Sequence, residues 1–390
     1  MKAMILAAGK GTRVRPITDY VPKPMIPIVN RPVMEFLIEL LREHGFDEIL
    51  VSTAHLAGQI ESYFGDGSRF GVEIGYSFEG YHRDGQVEPE GLGSAGGLKK
   101  AHEFSGFYDS TFAVLCGDAI HDLDLTRAVA FHADRKAIAT LILKEVAPED
   151  VHRYGIVETE PDGRILRFQE KPRMEEAVSR MANTGIYIFE PEVFDHIPSG
   201  RAFDIGADLF PLLAAKGLPF YACAFPFSWI DIGSTPDYWR ATQMVLKGEF
   251  KVEMPGRLLA PAIWGGVNLD VDLERVQGPV YIGAGTRIEK GAEIHGPTVI
   301  GRNCVVESGA RIRASVVGGY TRVTGFAELS EKIVSGRFCV DRHGHNVDLA
   351  RHGYAFVIDD ARERRDSWTE DQQALIEFLR SEVTKENLQP

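Results

Sequence analysis

Leu6-Ala7-Ala8-Gly9-Lys10-Gly11-Thr12-Arg13-Val14-Arg15-Pro16-Ile17-Thr18 joins a short apolar run to a glycine loop carrying two arginines. The run that leads into it, Lys2-Ala3-Met4-Ile5-Leu6-Ala7, is too short and too uniformly apolar for an amphipathic helix, and predicts a fully buried strand of a parallel sheet. Gly9 and Gly11 then allow a tight turn that brings backbone N–H groups against phosphate oxygens, where a Cβ would intrude. A dinucleotide fingerprint would need a third glycine at a helix start and an acidic residue about 20 positions on, and a P-loop would need Gly-Lys-Ser/Thr entering a helix. Neither follows, because Arg13-Val14-Arg15-Pro16 comes next and Pro16 opposes helical continuation.

Beyond the loop, Asn30-Arg31-Pro32 is expected to cap a helix in which Val33, Phe36, Leu37, Leu40 and Leu41 recur at helical spacing up to Gly45. Residues 48–53 and 72–77 read as strands, with a short helix from Gly58 ending in a turn at Gly65-Asp66-Gly67. Strands alternating with helices predict an α/β fold with a doubly wound, mostly parallel sheet, whose ligands sit beyond the strands' carboxyl ends. A length of 390 residues and 44% hydrophobic content suit two packed domains with real cores. The net charge of −13 argues against a nucleic-acid or anionic-membrane partner, so an anionic substrate would be met by local cations such as Arg13, Arg15, Lys23 and Lys171. The four cysteines are too widely spaced for a zinc motif or a disulfide framework. No signal-peptide pattern and no apolar run of about 18 residues is present, and a cytoplasmic protein is expected.

Several short motifs stand along the first two thirds of the chain. Leu92-Gly93-Ser94-Ala95-Gly96-Gly97 is a small-residue loop opening a helix; it either lets a flat base approach the backbone or packs tightly for its own sake. Gly117-Asp118 follows the apolar strand Thr111–Cys116, where a carboxylate can hold a hard cation or merely cap a turn. Tyr154-Gly155-Ile156-Val157, Gln169-Glu170-Lys171-Pro172, Asn183-Thr184-Gly185-Ile186-Tyr187 and Trp229-Ile230-Asp231-Ile232-Gly233 complete the set. Each has an ordinary alternative, such as edge strand or solvated surface, but their ordered coincidence makes six independent ordinary readings improbable.

The opening stretch, with Lys23-Pro24 beyond it, resembles the nucleoside-diphosphate-sugar pyrophosphorylases, whose motif reads Ala-Ala-Gly-x-Gly-Thr-Arg-Leu-x-Pro-Leu-Thr; Val14 and Ile17 are mild departures. The resemblance implies a reaction of nucleoside triphosphate with hexose 1-phosphate to give a nucleoside-diphosphate sugar and pyrophosphate. It also implies that Leu6, Ala7, Gly9, Gly11, Gly93 and Ser94 bind the nucleotide, and that Gly155, Glu170, Lys171 and Asn183 bind the sugar phosphate. On the same basis Arg13 stabilises the leaving pyrophosphate, Lys23 binds phosphate, and Asp118 with Asp231 holds Mg²⁺. The stretch His55-Leu56-Ala57 to Gly67 looks most like bacterial mannose-1-phosphate guanylyltransferases, so GTP and mannose 1-phosphate are the expected pair. UTP and glucose 1-phosphate are the alternative, because cyanobacterial-type UDP-glucose pyrophosphorylases share the architecture and Cys116-Gly117-Asp118 departs from the guanylyltransferases' Asn-Ser-Asp. Related two-domain proteins serve as non-catalytic regulatory subunits, but the charged positions they lose, Arg13, Lys23, Asp118, Lys171 and Asp231, all stand here.

From about Lys247 the composition changes. Val276, Ile282, Ile288, Ile294, Ile300, Val306 and Ile312 recur every six residues, which predicts a parallel β-helix with stacked inward aliphatics. The resemblance makes that coil left-handed. Val323 and Leu329 resume the spacing one residue out of register, as a small insertion or an irregular coil would produce. The expected organisation is a Rossmann-like nucleotidyltransferase domain over 1–245, the β-helix over 246–340 and a C-terminal extension over 341–390. That extension carries a possible strand at Tyr354–Ile358 and an amphipathic helix over Thr369–Leu379. Capping and homo-oligomer formation are the expected work of the β-helix, with acetyl transfer a weaker alternative.

Overall fold

The computed structural model describes residues 1–83, 86–89, 91–354, 357–363 and 374. The chain divides into two compact units: the first holds Met1–Thr12, Thr18–Ile26 and Pro32–Asp231, and the second holds Arg13–Ile17, Pro27–Arg31 and the residues from Ile232 onward.

In the first unit, β1 (Lys2–Leu6) lies at the centre of the sheet, parallel to β2 (Glu48–Thr53) on one side and β4 (Phe112–Cys116) on the other; β3 (Glu73–Phe78) is parallel to β2. Ala3 and Ile5 face one core while Met4 faces the other, so a strand with no polar alternation is what this position requires. One face is covered by α1 (Val33–Glu43), α2 (Ala57–Phe64) and α4 (Leu125–Asp134), through Leu37, Ile60 and Leu125 among others. The other is covered by α3 (Gly93–Ser105) and α5 (Phe210–Ala215), through Leu98 and Phe210. This is the doubly wound arrangement expected. Helix α1 buries Val33, Met34, Phe36, Leu37, Ile38 and Leu41, each worth about 1.5–3 kcal/mol of transfer free energy. Its start differs from expectation: Pro32 is the capping residue, no side chain bonds the first turn, and Asn30 sits at a left-handed φ of 66° two residues earlier.

The remaining strands extend the sheet beyond β4. Strand β9 (Met181–Phe189) runs antiparallel to β4 and to β6 (Ala139–Glu145), while β7 (Gly155–Thr159) pairs antiparallel with β8 (Ile165–Glu170) and β6 pairs in parallel with β10 (Phe220–Cys223). A separate ribbon of β5 (Ala119–His121) and β11 (Trp229–Asp231) stands at the exit of β4.

The second unit contains α6 (Thr235–Leu246), entered through Ser234, whose hydroxyl accepts from Asp237 N, and then a coil of short parallel strands on three faces. Val280–Ile282 stacks on Thr298–Ile300, Asp270–Val271 on Arg287–Ile288, and Val276–Gln277 on Glu293–His295. The six-residue series therefore visits the faces in rotation, and its aliphatics form one continuous interior. Of the two causes expected for the change of register, an irregular coil is the one found and an insertion is not: Val317 follows Ile312 by five residues, so the corner at Ala314, with a left-handed φ of 45°, is one residue shorter than the preceding corner at Gly296-Pro297. Antiparallel strands end the stack. Phe338–Asp341 closes Lys332–Ser335, and Ile358–Asp360 closes Thr321–Val323. The strand expected over Tyr354–Ile358 thus begins at Ile358, and positions 355 and 356 lie outside the described residues. The expected helix over Thr369–Leu379 lies outside them too, apart from Ala374. Among the described residues no helix is long and apolar enough to cross a membrane.

Candidate active site

Strands β1 and β4 end level, with Leu6 beside Cys116, and Gly117 N donates to Leu6 O at 2.9 Å. A Cβ at Gly117 would meet that carbonyl at 2.9 Å, so glycine lets the chain hug β1 before Asp118 emerges. The β5–β11 ribbon then closes the long separation in sequence, because Asp231 pairs with Ala119, the neighbour of Asp118. Both carboxylates meet Lys23: its Nζ donates to Asp118 Oδ2 and lies 3.9 Å from Asp231 Oδ1. Lys23 is held in a tight turn, Lys23–Met25, packed against the glycine loop. A Cβ on Gly11, at φ +62°, would lie 3.1 Å from Lys23 Cβ and 3.0 Å from Thr18 Cγ2. Gly9 faces nothing within 4 Å among the described residues, so none of their contacts accounts for its being glycine.

The two aspartate side chains retain 24% and 23% of their exposure, so a ligand can reach them. They already converge on one cationic group, and the donor set suits a hard divalent cation. Among the described residues no cluster of three or more His, Cys, Asp or Glu side chains could hold a metal alone. A cation here would draw its other ligands from phosphate oxygens and water, which is how Mg²⁺ commonly binds. Cys116 lies beside this cluster. Burial, reinforced by the Asp118 and Asp231 charges, pushes its thiol far above the usual range, so it stays neutral and supplies no thiolate nucleophile.

A second group surrounds Glu170. Gly155 pairs with Glu170 across β7 and β8, and a Cβ there would run into the Phe168 ring. Glu170 forms an ion pair with Lys171, which takes a left-handed φ of 48° as the chain leaves β8. Asn183 accepts from Gly185 N at 3.1 Å and donates to the Tyr187 hydroxyl at 3.0 Å. Trp229 ties the ribbon to this region: its Nε1 donates to Thr184 O at 3.1 Å and its ring meets Tyr154 edge-on at 5.3 Å.

Gly93 and Ser94 answer first to the protein. A Cβ on Gly93 would meet Phe203 O at 2.7 Å, and the Ser94 hydroxyl donates to Asp204 Oδ2 at 2.8 Å while accepting from Ile205 N at 2.8 Å. Asp204 escaped sequence reasoning. Its signal is only that of an ordinary helix cap, and Ser94 lies far from it in the chain. Leu6 ends β1 and Ala7 follows it, with Ala7 N donating to Ser52 O at 3.1 Å. Arg13 is exposed and belongs by its contacts to the second unit.

His121, in the ribbon strand that follows Asp118, is 4% exposed and neither ring nitrogen has a partner among the described residues. Burial, with a smaller contribution from His44, pushes its pKa down to about 3. Between the unfolded value and that one the unfolded chain binds the extra proton, so stability is complete above about pH 6.5 and declines as pH falls toward 3. His121→Leu removes the unsatisfied nitrogens, and thermal unfolding measured from pH 8 to pH 4 is expected to show a flatter acid limb than the unaltered chain. An unchanged limb would show that His121 is not what proton uptake destabilises.

Residues 2–248 match the nucleotidyl transferase family, and residues 279–314 match the bacterial transferase hexapeptide (six repeats) family. A UTP–glucose-1-phosphate uridylyltransferase of Synechocystis sp. is 54% identical over 365 residues, covering 93% of this chain and 94% of that protein. A mannose-1-phosphate guanylyltransferase of Mycobacterium tuberculosis is 31% identical over 75% of this chain and 76% of its own length. A crystal structure from Bacillus anthracis, described as a glucose-1-phosphate thymidylyltransferase in complex with a sucrose, superposes with a TM-score of 0.56 at 27% identity, covering 65% of this chain and 97% of that one. With the carboxylates and lysine converging beyond the carboxyl ends of the central strands, and a hexapeptide coil following, this chain belongs to the sugar-1-phosphate nucleotidyltransferases of the nucleotidyl transferase family.

Proposed function

We propose that the chain is a uridylyltransferase joining UTP and glucose 1-phosphate to give UDP-glucose and pyrophosphate. The observation that carries the substrate pair is the 54% identity to the Synechocystis uridylyltransferase along almost the whole of both chains, against 31% to the guanylyltransferase. GTP and mannose 1-phosphate, the pair expected from the residues around His55–Gly67, are the weaker choice. Cys116-Gly117-Asp118, where guanylyltransferases carry Asn-Ser-Asp, points the same way.

A phosphate oxygen of the sugar phosphate attacks the α-phosphorus in line, a bond to the β-phosphate oxygen breaks, and pyrophosphate leaves. No covalent nucleophile is required of the protein, whose work is alignment of two polyanions and compensation of charge. Gly9 leaves room for triphosphate oxygens against backbone N–H groups, while Gly11 makes the turn that carries those groups and lets Lys23 pack against the loop. Lys23 supplies an ammonium to phosphate, and Arg13 a guanidinium to the leaving pyrophosphate. Glu170 accepts from sugar hydroxyls, Asn183 bonds sugar oxygens, and Lys171 neutralises the sugar phosphate. Asp118 and Asp231 would hold Mg²⁺, which when bound offsets charge on the phosphates. Pyrophosphate release measured over a matrix of nucleoside triphosphates and hexose 1-phosphates tests the pair. UTP with glucose 1-phosphate is expected to exceed GTP with mannose 1-phosphate at least ~tenfold in kcat/KM, a difference of about 1.4 kcal/mol in transition-state binding. The reverse order would overturn the pair without touching the reaction.

A further inference from the structure

The segment Phe203–Gly206 lies between the two halves of the site. On one side Ala95 N and Gly96 N donate to Phe203 O at 3.0 and 2.9 Å, and Phe203 N donates to Leu92 O at 2.8 Å. On the other, a Cβ on Gly206 would lie 3.1 Å from Glu170 Oε2, the same oxygen that a Cβ on Gly155 would approach at 3.2 Å. Asp204 fixes the segment from within. Its Oδ1 accepts from Gly206 N at 2.8 Å and Ala207 N at 2.9 Å, and its Oδ2 accepts the Ser94 hydroxyl. The chain then winds as a π-helical turn, Ile205–Leu209, into α5. Such a wide turn is uncommon and often marks a working site. Ser94 donates once and accepts once within the protein, so its hydroxyl serves as a tether here.

We propose that Asp204 is a positioning residue that couples the nucleotide half-site to the sugar half-site, by tethering the first turn of α3, Gly93–Gly97, to the turn on which Glu170 rests. The proposal rests on the nucleotide role that the resemblance implies for Gly93 and Ser94 and on the sugar-binding role given to Glu170 under the proposed function. A nucleotide that steadies this first turn of α3 thereby steadies the Phe203–Gly206 segment, and with it the Glu170 side of the pocket, before the sugar phosphate arrives. Each substrate therefore tightens the other's binding, because the ordering cost is met once.

The substitutions Asp204→Ser, Ser94→Ala and their combination test this. Serine at 204 still caps the turn but is too short to reach Ser94, so thermal stability is expected to stay near that of the unaltered chain. With the substrate pair that the unaltered chain uses best, each single variant is expected to raise KM for the sugar phosphate about tenfold at saturating nucleotide, with kcat changed less than about threefold. The combined variant should show about the same tenfold change and not about a hundredfold, because both substitutions remove the same hydroxyl–carboxylate bond. Glucose 1-phosphate titrated with and without UDP should bind more tightly with it in the unaltered chain, and that tightening should fall by a similar factor in all three variants, the backbone bonds to Phe203 remaining. Wild-type kinetics in Asp204→Ser, additive effects in the combination, or undiminished mutual tightening would each overturn the proposal and leave the functional reading intact. Absence of turnover by the unaltered chain with every pair in the matrix would sink both.

Discussion

Asp118→Asn is expected to lower turnover at least about a hundredfold while leaving the thermal midpoint almost unmoved, and Asp231→Asn to do the same. The physical case starts from the ribbon. Asp231 opposite Ala119 places two carboxylates around one ammonium, and both remain partly exposed on the side where ligand would enter. An amide preserves the volume and the hydrogen-bonding oxygen, so the β5–β11 pairing has no reason to change. It removes a charge, however, and a neutral amide is a poor ligand for a hard divalent cation in a site with few protein ligands. Lys23 would also lose half of its counter-charge and sit less well defined for phosphate. Initial rates at limiting Mg²⁺, with unfolding curves run alongside, separate the outcomes. A near-normal rate in either variant removes that residue from the site, and a large fall in the midpoint assigns it to the fold instead.

Ile294→Asp is expected to have the largest effect on stability. Ile294 is fully buried in the coil, in register between Val276 and Ile312 of the neighbouring turns. Losing the aliphatic side chain forfeits about 1.5–3 kcal/mol of transfer free energy, and an unpaired carboxylate in that interior costs several kcal/mol more. The sum rivals the whole stability of an ordinary domain, about 5–15 kcal/mol. In a stack held by nearest-neighbour contacts, one disrupted turn also deprives the turns on either side of their support. Ile294→Ala should cost about 2–5 kcal/mol, which gives a graded comparison. Thermal and denaturant unfolding are expected to show the alanine variant folding with a lowered midpoint and the aspartate variant without a cooperative transition for the coil. A wild-type transition in the aspartate variant would mean that the position is not interior.

Local chemistry was enough for the architecture. An apolar run with no alternation, as in Lys2–Leu6, can only be satisfied where both faces are covered, and a branched aliphatic every six residues can only be satisfied by stacking turns of a coil. Helix boundaries were less legible: Pro32 takes the place expected of Asn30, because the chain enters α1 through a left-handed turn rather than through a side-chain cap. The changed spacing after Ile312 announced an irregularity but not its sense, since a deletion at a corner shifts the later register as an insertion elsewhere would.

The candidate site divides along the same line. Lys23, Asp118, Glu170, Lys171 and Asp231 were nominated by the resemblance of several short motifs, in order, to those of the pyrophosphorylases, since each motif taken alone has an ordinary structural reading. That Asp118, Asp231 and Lys23 meet depends on an antiparallel ribbon between segments far apart in the chain, and pairing at that separation leaves no local trace. The same holds for Ser94 and Asp204, two short polar side chains whose joint role exists only where the fold brings them within 2.8 Å. Periodicity and turn chemistry act over a few residues and are written in the sequence, whereas contacts between distant loops are set by how the whole sheet packs, which is why the tether between the two half-sites is a property of the tertiary structure alone.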